Sequence, residues 1–309
     1  MKILITGGAG FIGSHIADAL KELGHVVAVV DNLSSGKRSF VPSGVVFYQQ
    51  DICKAELEDI FRAERPEIVI HQAAQVSVSK SMLYPAADAD VNVMGTVRVL
   101  DLSVRYGVRK FIFASTAALY GIPECLPLTE NDPVRPISFY GLSKAAAEAY
   151  IRLYGETFGL PYTILRYANV YGMRQNSEGE AGVVSIFINR LLKGEPLYVL
   201  GDGLQTRDFV FVKDVVQANI AALTAGDNEI YNIGTGTRRS VQELVDALRQ
   251  LVQTDIQVQY VKARKGDIRD SYLDNQKARE QLRWQCGYSF TEGLRLMLAY
   301  YEQLRLHEV

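Results

Sequence analysis

A tyrosine and a lysine, Tyr140 and Lys144, are four positions apart in the segment Tyr-Gly-Leu-Ser-Lys. On a helix, this spacing places a phenol and an ammonium on the same face. A free tyrosine titrates near pH ~10 and is a poor base at neutral pH, but a nearby positive charge favours the phenolate and lowers its pKa. The pair is therefore a candidate general acid/base. Because such pairs also occur by chance on helix surfaces, the rest of the chain must supply the context.

A glycine cluster near the N-terminus supplies part of that context. An apolar run at residues 3–5 is typical of a buried parallel strand, and Gly7, Gly10 and Gly13 follow it directly. Residues 14–23 then have the apolar spacing of an amphipathic helix. Glycines at such a turn let a pyrophosphate approach the N–H groups at the helix N-terminus. The segment predicts a dinucleotide-binding strand, turn and helix.

An acidic residue at the end of the next apolar run indicates which dinucleotide is bound. Residues 26–30 predict a second strand, and Asp31 follows it, 18 residues after Gly13. A carboxylate at about this distance binds the adenosine ribose in dinucleotide-binding folds and would repel a 2′-phosphate. The sequence therefore favours NAD over NADP, although Lys37 and Arg38 lie nearby.

Strand and helix patterns alternate through the first half of the chain. The predicted strands are residues 2–6, 26–30, 45–48, 68–71, 111–114 and 162–166, and the predicted helices between them are 14–23, 57–64, 91–106 and 143–158. This alternation predicts an α/β fold, a Rossmann-type doubly wound parallel sheet whose ligands bind at the carboxyl ends of the strands. We expect an NAD-binding domain at residues 1–170, with segments around 205–235 returning to it. Residues 171–309 would form mainly a smaller, discontinuous substrate domain.

Composition excludes several classes of function. The formal charge of −2 gives no electrostatic case for binding nucleic acid or an anionic membrane. The three cysteines form no CxxC motif and the four histidines lack metal-ligand spacing, so we expect neither disulfides nor a metal site. His71 ends an apolar run, which favours a structural or cofactor-lining role. With no signal peptide or membrane span recognisable in the sequence, we expect a cytoplasmic protein.

Several motifs in the chain resemble the extended short-chain dehydrogenase/reductase family, and within it the branch of UDP-glucose 4-epimerases. The resemblance covers essentially the full chain. Its motifs are Thr6-Gly-Gly-Ala-Gly-Phe-Ile-Gly13, Asp51-Ile52, His71-Gln-Ala-Ala74, Asn92, Ser115-Thr116, Tyr140-x-x-x-Lys144, Arg166-Tyr-Ala-Asn-Val-Tyr-Gly172, Gly201-Asp-Gly-x-Gln-Thr-Arg207-Asp208 and Arg264-Lys-Gly-Asp267.

The resemblance implies a role for each matching position. Tyr140 would be the base, Lys144 would hold the nicotinamide ribose and lower the pKa of Tyr140, and Thr116, or else Ser115, would bond the reacting sugar hydroxyl. The NAD-binding residues would be Gly7, Gly10, Phe11, Ile12, Gly13, Asp31, Asn32, Ser35, Gly36, Asp51, Ile52, Ala73, Ala74, Gln75, Asn92, Tyr140, Lys144 and Tyr167. The residues that bind a UDP-sugar would be Thr116, Tyr140, Asn169, Val183, Arg207, Arg264, Asp267 and Ser271.

The activity implied is inversion of carbon 4 of a UDP-hexose through a transient 4-keto sugar, with NAD as cofactor. Dehydratases of this family carry an Asp-Glu pair after the active-site threonine, whereas Ala117 and Ala118 stand here, and UDP-glucuronate decarboxylases usually keep a Glu where Ala118 stands. Other 4-epimerases, such as those acting on UDP-glucuronate, remain alternatives. A non-catalytic NAD-binding module is the alternative of another class, although such modules often lose the Tyr/Lys pair.

Two further expectations follow from the resemblance. In the family, the residue four positions after the aspartate of the 264–267 segment lines the sugar pocket, and a small residue there leaves room for an N-acetyl group. That residue is Ser271, with Tyr272 beside it, so we expect UDP-N-acetylglucosamine to be accepted along with UDP-glucose. The segments 91–106 and 143–158 carry apolar residues on more than one face, as in helices that pair in a homodimer.

Overall fold

The computed structural model describes residues 1–176, 182–252, 256–263 and 268–307. Its central element is a seven-stranded sheet in which every neighbouring pair is parallel, in the order β11-β6-β5-β4-β1-β2-β3. Its strands are β1 (Lys2–Thr6), β2 (Val26–Asp31), β3 (Val46–Gln49), β4 (Ile68–His71), β5 (Lys110–Thr116), β6 (Tyr162–Tyr167) and β11 (Glu229–Ile233). The predicted Rossmann-type sheet is confirmed.

Helices cover both faces of this sheet, and further helices pack with the smaller sheets of the second half of the chain. They are α1 (Phe11–Glu22), α2 (Leu57–Glu64), α3 (Val78–Leu83), α4 (Pro85–Ala89), α5 (Thr96–Arg105), α6 (Phe139–Phe158), α7 (Val183–Lys193), α8 (Val212–Ala221), α9 (Val241–Val252), α10 (Gln276–Gln281) and α11 (Phe290–His307). A π-helical turn (Asp90–Gly95) joins α4 to α5, and short 3-10 turns occupy Arg38–Phe40 and Ala117–Leu119. No helix in the described ranges is long and apolar enough to cross a membrane.

Each face of the sheet is buried in its own apolar core, because alternate residues of a strand point to opposite faces. Ile3 and Ile5 of β1 pack with Ile16 of α1 and Val215 of α8. Leu4 belongs to the opposite core, which α2, α5 and α6 cover. Two-sided burial explains why these strands are continuous apolar runs.

The second half of the chain adds smaller sheets and a third core. The additional strands are β7 (Asn169–Tyr171) with β10 (Phe209–Phe211), β9 (Thr206–Arg207) with β12 (Arg239–Ser240), and β8 (Leu197–Leu200) with β13 (Val258–Val261). Helices α7, α9 and α11 contribute Phe187, Leu244 and Met297 to this core. The chain nevertheless returns to the large sheet, since β11 pairs with β6. The division into domains at residue 170 stays a prediction.

The structure corrects the ends of three predicted helices. Helix α1 begins at Phe11 rather than at residue 14, because Gly10 is already its extended N-cap. Helix α6 begins at Phe139 rather than at residue 143, because the side chain of Ser138 caps it by accepting from the N–H of Gly141. The predicted helix 91–106 is divided between the π-helical turn and α5. The two earlier starts matter for the site, since they place Phe11 and Tyr140 in first turns.

Candidate active site

The base candidate is held where the N-terminus of α6 meets the end of β5. The backbone N–H of Tyr140 donates to Ser81 Oγ of α3 at 3.0 Å. The next residue, Gly141, approaches the turn after β5 so closely that a Cβ there would lie 2.7 Å from the carbonyl oxygen of Ala118. This contact is possible only for glycine, and it brings the first turn of α6 against Thr116.

The side chains of Thr116 and Tyr140 lie within hydrogen-bond distance of each other. Thr116 ends β5, and its Oγ1 accepts from the N–H of Ala118 at 3.1 Å. Burial raises the pKa of Tyr140 to about 12, while a hydrogen bond from the Thr116 side chain opposes that rise and the charge of Asp88 adds to it. The prediction that the pKa of Tyr140 lies below its usual range is therefore wrong. Desolvation of the phenolate, which raises the pKa, is larger than the opposing effect of the hydrogen bond.

Lys144 lies one helical turn further along α6 and is only 3% exposed. Its Nζ donates to the carbonyl oxygen of Ala114 at 2.8 Å and lies 4.6 Å from the centre of the Phe113 ring. Burial lowers the pKa of Lys144 to about 8, and the carboxylates of Asp88 and Glu148 oppose that shift. Lys144 therefore changes its charge in the neutral to mildly alkaline range.

Ser115, the second candidate for the hydroxyl role, is oriented differently from Thr116. It is adjacent to Thr116 on β5, so the two side chains point to opposite faces of the sheet. Ser115 Oγ is buried and donates to Glu148 Oε1 at 2.5 Å. The same carboxylate accepts from Arg166 at 3.0 Å and 2.7 Å. Ser115 is therefore part of a buried polar network with Glu148 and Arg166, and the role of either hydroxyl toward the sugar stays a prediction.

The glycine turn has the shape that a dinucleotide requires. A Cβ on Gly13 would lie 2.3 Å from the carbonyl oxygen of Gly7, and a Cβ on Gly7 would lie 2.6 Å from the nitrogen of Ala73. Gly10 is the N-cap of α1 and supplies no side-chain cap, so Phe11 and Ile12 begin the helix without one. A helix N-terminus of this kind attracts a pyrophosphate. These residues fit NAD.

Asp31 holds the glycine turn while it also terminates β2. Its Oδ2 accepts from the N–H of Ala9 at 3.0 Å, and its Oδ1 accepts from the N–H of Leu33 at 2.8 Å. Two carboxylate oxygens have about four acceptor positions, so Asp31 can still accept from ribose hydroxyls. Next to it, Gly36 packs against the backbone of Ala9 and the exposed Ser35 precedes it.

The predicted adenine side of the site is also assembled. Asn32 donates to Asp51 Oδ2 at 3.1 Å, and the N–H of Cys53 donates to Asp51 Oδ1 at 2.8 Å. Burial acts to raise the pKa of Asp51, but these hydrogen bonds hold it below its usual value. Ile52 is buried against Gly95, where a Cβ would lie 2.7 Å from Ile52 Cδ1.

The loop after β4 connects the glycine turn to α6. Ala73 and the partly exposed Ala74 follow β4, and the N–H of Gln75 donates to Asn92 Oδ1 at 2.8 Å. Asn92 Nδ2 lies within hydrogen-bond distance of Gln75 O at 2.9 Å and Ser143 Oγ at 3.0 Å. The hydroxyl of Tyr167 accepts from Gln72 at 3.1 Å and from Asn219 at 2.8 Å, within the protein. Contact of these residues with NAD stays a prediction.

His71 is a structural residue. It is fully buried, with Nδ1 2.6 Å from Thr6 Oγ1 and Nε2 3.0 Å from Thr96 Oγ1. Burial lowers the pKa of His71 to about 3, so it stays neutral. Among the described residues, no group of three or more His, Cys, Asp or Glu side chains is arranged to hold a metal ion.

The predicted substrate residues lie in the second half of the chain. Asn169 is exposed at the start of β7, and Val183 is the partly exposed first residue of α7. Arg207 donates to the carbonyl oxygen of Thr206 at 2.8 Å, and the N–H of Ser271 donates to the same oxygen at 3.3 Å. Arg207 and Ser271 are therefore neighbours, whereas Arg264 and Asp267 lie outside the described residues.

An ion pair ties the two substrate loops together. Asp202 accepts from Arg269 through both of its oxygens, at 2.8 Å and 2.9 Å. A fork of this type fixes orientation as well as distance. Sequence reasoning missed this pair, and it also missed Asp88 and Glu148, whose charges act on Lys144. The spacing from Lys144 to Glu148 on one helix was the available signal for Glu148, whereas Asp88 had no signal in the sequence.

Comparison with known proteins agrees with this geometry. Residues 3–234 match the model of the NAD dependent epimerase/dehydratase family. The putative UDP-glucose 4-epimerase of Methanocaldococcus jannaschii is 46% identical over 294 residues, covering 95% of this chain and 96% of that protein. The crystal structure of the Thermotoga maritima UDP-glucose 4-epimerase with UDP-glucose superposes with a TM-score of 0.97 at 48% identity, covering 99% and 100%. The UDP-N-acetylglucosamine 4-epimerase of Methanobrevibacter ruminantium, in complex with UDP-N-acetylmuramic acid, gives a TM-score of 0.94 at 33% identity, covering 98% of each.

Proposed function

The chain belongs to the NAD-dependent epimerase/dehydratase family, and we propose that it inverts carbon 4 of a UDP-hexose, interconverting UDP-glucose and UDP-galactose. The observation that carries this proposal is the contact of Thr116 with Tyr140 above the buried Lys144. This arrangement offers a base, a hydroxyl that positions the reacting sugar, and a cation. It lies at the carboxyl end of β5, where ligands bind in parallel sheets.

The chain's own residues manage the proton and hold the sugar. Tyr140 takes the proton from the hydroxyl on carbon 4 and returns it when the hydroxyl is reformed. Thr116 fixes that hydroxyl, and Lys144 supplies positive charge under the site. Arg207 is suited to hold the diphosphate, because a guanidinium offers paired donors to phosphate oxygens. NAD, held by the glycine turn, Asp31 and the segment at Asp51, supplies the reversible oxidation of the substrate when bound.

The alanines after Thr116 support epimerisation over dehydration. Ala117 and Ala118 occupy the 3-10 turn against α6, where a dehydratase of this family has its acidic pair. Elimination would need an acid and a base for neighbouring carbons. Epimerisation at carbon 4 needs no such acidic pair, because Tyr140 and Thr116 handle the carbon 4 hydroxyl and NAD supplies the reversible oxidation.

Conversion of UDP-galactose tests the proposal. Purified protein is incubated with UDP-galactose, with and without added NAD, and UDP-glucose is followed by chromatography. We expect conversion, with parallel incubations of UDP-N-acetylglucosamine and UDP-glucuronate ranking the sugars. No conversion of any of these sugars with NAD supplied would contradict the proposed activity and favour a binding-only role.

We propose that N-acetylated sugars are accepted as well. The observation behind this proposal is that Ser271, a small residue, lies beside Arg207. The neighbouring Tyr272 faces Arg238, whose Cζ lies 6.0 Å from the centre of the tyrosine ring. Ser271→Tyr should abolish turnover of UDP-N-acetylglucosamine and preserve turnover of UDP-glucose, with Ser271→Ala as the matched small control. Equal effects of Ser271→Tyr on both sugars would contradict the proposal.

We propose that the protein is a homodimer formed by α5 and α6. Leu142, Tyr150, Leu153 and Phe158 of α6 are exposed, which is unusual for so many large apolar side chains on one helix. Leu153→Asp should produce monomers in sedimentation velocity, whereas Leu23→Asp, an exposed leucine elsewhere, should not. A monomeric unmodified protein at micromolar concentration would contradict this proposal.

The cytoplasmic location expected from the sequence stays a prediction.

A further inference from the structure

A buried carboxylate beside the base has no role in the mechanism derived so far. Asp88 lies on α4 and is 1% exposed. Its Oδ1 accepts from Gln75 Nε2 at 2.7 Å and from Asn92 Nδ2 at 3.2 Å. No described residue donates to its Oδ2, which is buried. A half-satisfied buried carboxylate is costly, so its retention calls for an explanation.

The partners of Asp88 belong to the site. Gln75 lies in the loop that follows β4, and its Oε1 accepts from the N–H of Ser77 at 2.6 Å, which fixes that loop before α3. Asn92 reaches Ser143, whose Oγ donates to the carbonyl oxygen of Tyr140 at 3.0 Å. Asp88 therefore bonds the loop of the cofactor site directly through Gln75, and it reaches the helix that carries the base through Asn92.

The charges around Asp88 are few. On α6, Tyr140, Lys144 and Glu148 face the same interior, and Glu148 is already paired with Arg166 at 2.7 Å. His71 of β4 is neutral, as shown above. The other titratable groups between the start of α3 and the end of the π-helical turn are exposed: Lys80, Tyr84 and Asp90. The carboxylate of Asp88 acts to raise the pKa of both Tyr140 and Lys144.

We propose that Asp88 is a positioning residue of this site, whose buried carboxylate anchors the loop after β4 and keeps the Lys144 ammonium charged at neutral pH. The role of Lys144 in turnover rests on the proposed function, whereas the effect on its charge does not. Without this carboxylate only Glu148, which is already paired with Arg166, would oppose the effect of burial, so a larger fraction of Lys144 would be the neutral amine.

Asp88→Asn isolates the charge, because asparagine retains an acceptor for Gln75 and Asn92. The matched control is Asp90→Asn, the same change two residues away at an exposed position. Carbon-13 NMR titration of the lysine Cε signals, with Lys144 assigned from Lys144→Met, reads the pKa directly and without substrate. We expect the pKa of Lys144 to fall by about half a pH unit or more in Asp88→Asn, the size expected for one buried charge. Asp90→Asn should leave it unchanged.

The kinetic readout is the pH profile of kcat/KM for UDP-galactose. We expect the whole profile to move toward lower pH in Asp88→Asn and to stay in place in Asp90→Asn. If Asp88→Asn does not fold, Asp88→Ser is the second neutral variant. An unchanged Lys144 pKa in the neutral variant that folds overturns the proposal. Failure of the unmodified protein to convert any UDP-sugar would contradict the proposed function, while the NMR titration would still decide the role of Asp88.

Discussion

Burial is the largest influence on the protonation of Tyr140 and Lys144, the two residues that we propose carry the chemistry. Burial raises the pKa of Tyr140 to about 12, against the hydrogen bond from Thr116, and lowers the pKa of Lys144 to about 8, against the carboxylates of Asp88 and Glu148. A fully buried pair of this kind is expensive, and enzymes tolerate that cost where proton transfer is needed. The residue types and spacing were predictable from the sequence. The direction of the Tyr140 shift was not, because it depends on solvent exclusion by residues distant in sequence.

The separation of Ser115 from Thr116 leads to the first prediction. Thr116→Val removes the hydroxyl that contacts Tyr140 and should lower kcat by about 10-fold to 100-fold, in line with the loss of a positioned catalytic hydrogen bond. Ser115→Ala removes a hydrogen bond to the Glu148 carboxylate and should instead cost about 1–3 kcal/mol of unfolding free energy. Steady-state kinetics and urea denaturation separate the two effects. A loss of kcat in Ser115→Ala as large as that in Thr116→Val would contradict this assignment.

The second prediction concerns pH. Since burial lowers the pKa of Lys144 to about 8, the ammonium is present below that pH and is lost above it. If the charged form supports turnover, kcat/KM for UDP-galactose should fall as the pH rises from 8 to about 10. The measurement is a rate profile at constant ionic strength. A flat profile across this interval would show that the charge of Lys144 is not needed.

At the scale of the elements, close backbone contacts bring the catalytic groups together. Gly141 lets the first turn of α6 contact the turn after β5. Gly7 and Gly13 let the backbone of the glycine turn pack closely against the start of α1 and against Ala73. Strands β1, β2, β4, β5 and β6 were predictable, since their apolar runs are buried on both faces. The start of α6 was not predicted, because the cap at Ser138 lies before the apolar pattern begins. Strands β9 and β12 could not be predicted, because each has only two residues and the alternation of apolar and polar residues needs a longer segment to be recognised.

A third prediction tests the contact at Gly141. In Gly141→Ala the added methyl group would lie 2.7 Å from the carbonyl oxygen of Ala118, so α6 must move away from Thr116. Because a misplacement of about 1 Å can cost on the order of 100-fold in rate, we expect kcat to fall by about that factor. Gly287→Ala is the matched control, since its nearest contact would be 3.6 Å away. Unchanged kcat in Gly141→Ala would contradict the role of this contact.

At the scale of the whole molecule, one buried polar network joins the sheet to the segment that carries Ser271. Arg166 of β6 donates to Glu148 and, at 2.8 Å, to the hydroxyl of Tyr120. Tyr120 donates to Asn232 of β11, and Asn232 Nδ2 donates to the carbonyl oxygen of Leu128. The N–H of Leu128 in turn donates to the carbonyl oxygen of Tyr272 at 3.0 Å. The network was invisible in the sequence, because each partner comes from a different part of the chain.

The fourth prediction is that this network holds much of the stability. Arg166→Met leaves Glu148 buried without its cation and should lower the free energy of unfolding by about 3–5 kcal/mol. The double variant Glu148→Leu with Arg166→Met removes both charges and should lose less than the single variant. Urea denaturation of the three proteins measures this. A single variant within about 1 kcal/mol of the unmodified protein would contradict the assignment.

The measurement that tests the account most directly follows the hydrogen on carbon 4. UDP-galactose carrying deuterium at carbon 4 is incubated with the protein in ordinary water, and the UDP-glucose formed is analysed by NMR. Oxidation and reduction at that carbon within one closed site predict that the deuterium stays on carbon 4 of the inverted product. Tyr140→Phe, which lacks the base, should form product more slowly by about 100-fold or more. Loss of the deuterium to water in the product would contradict the account.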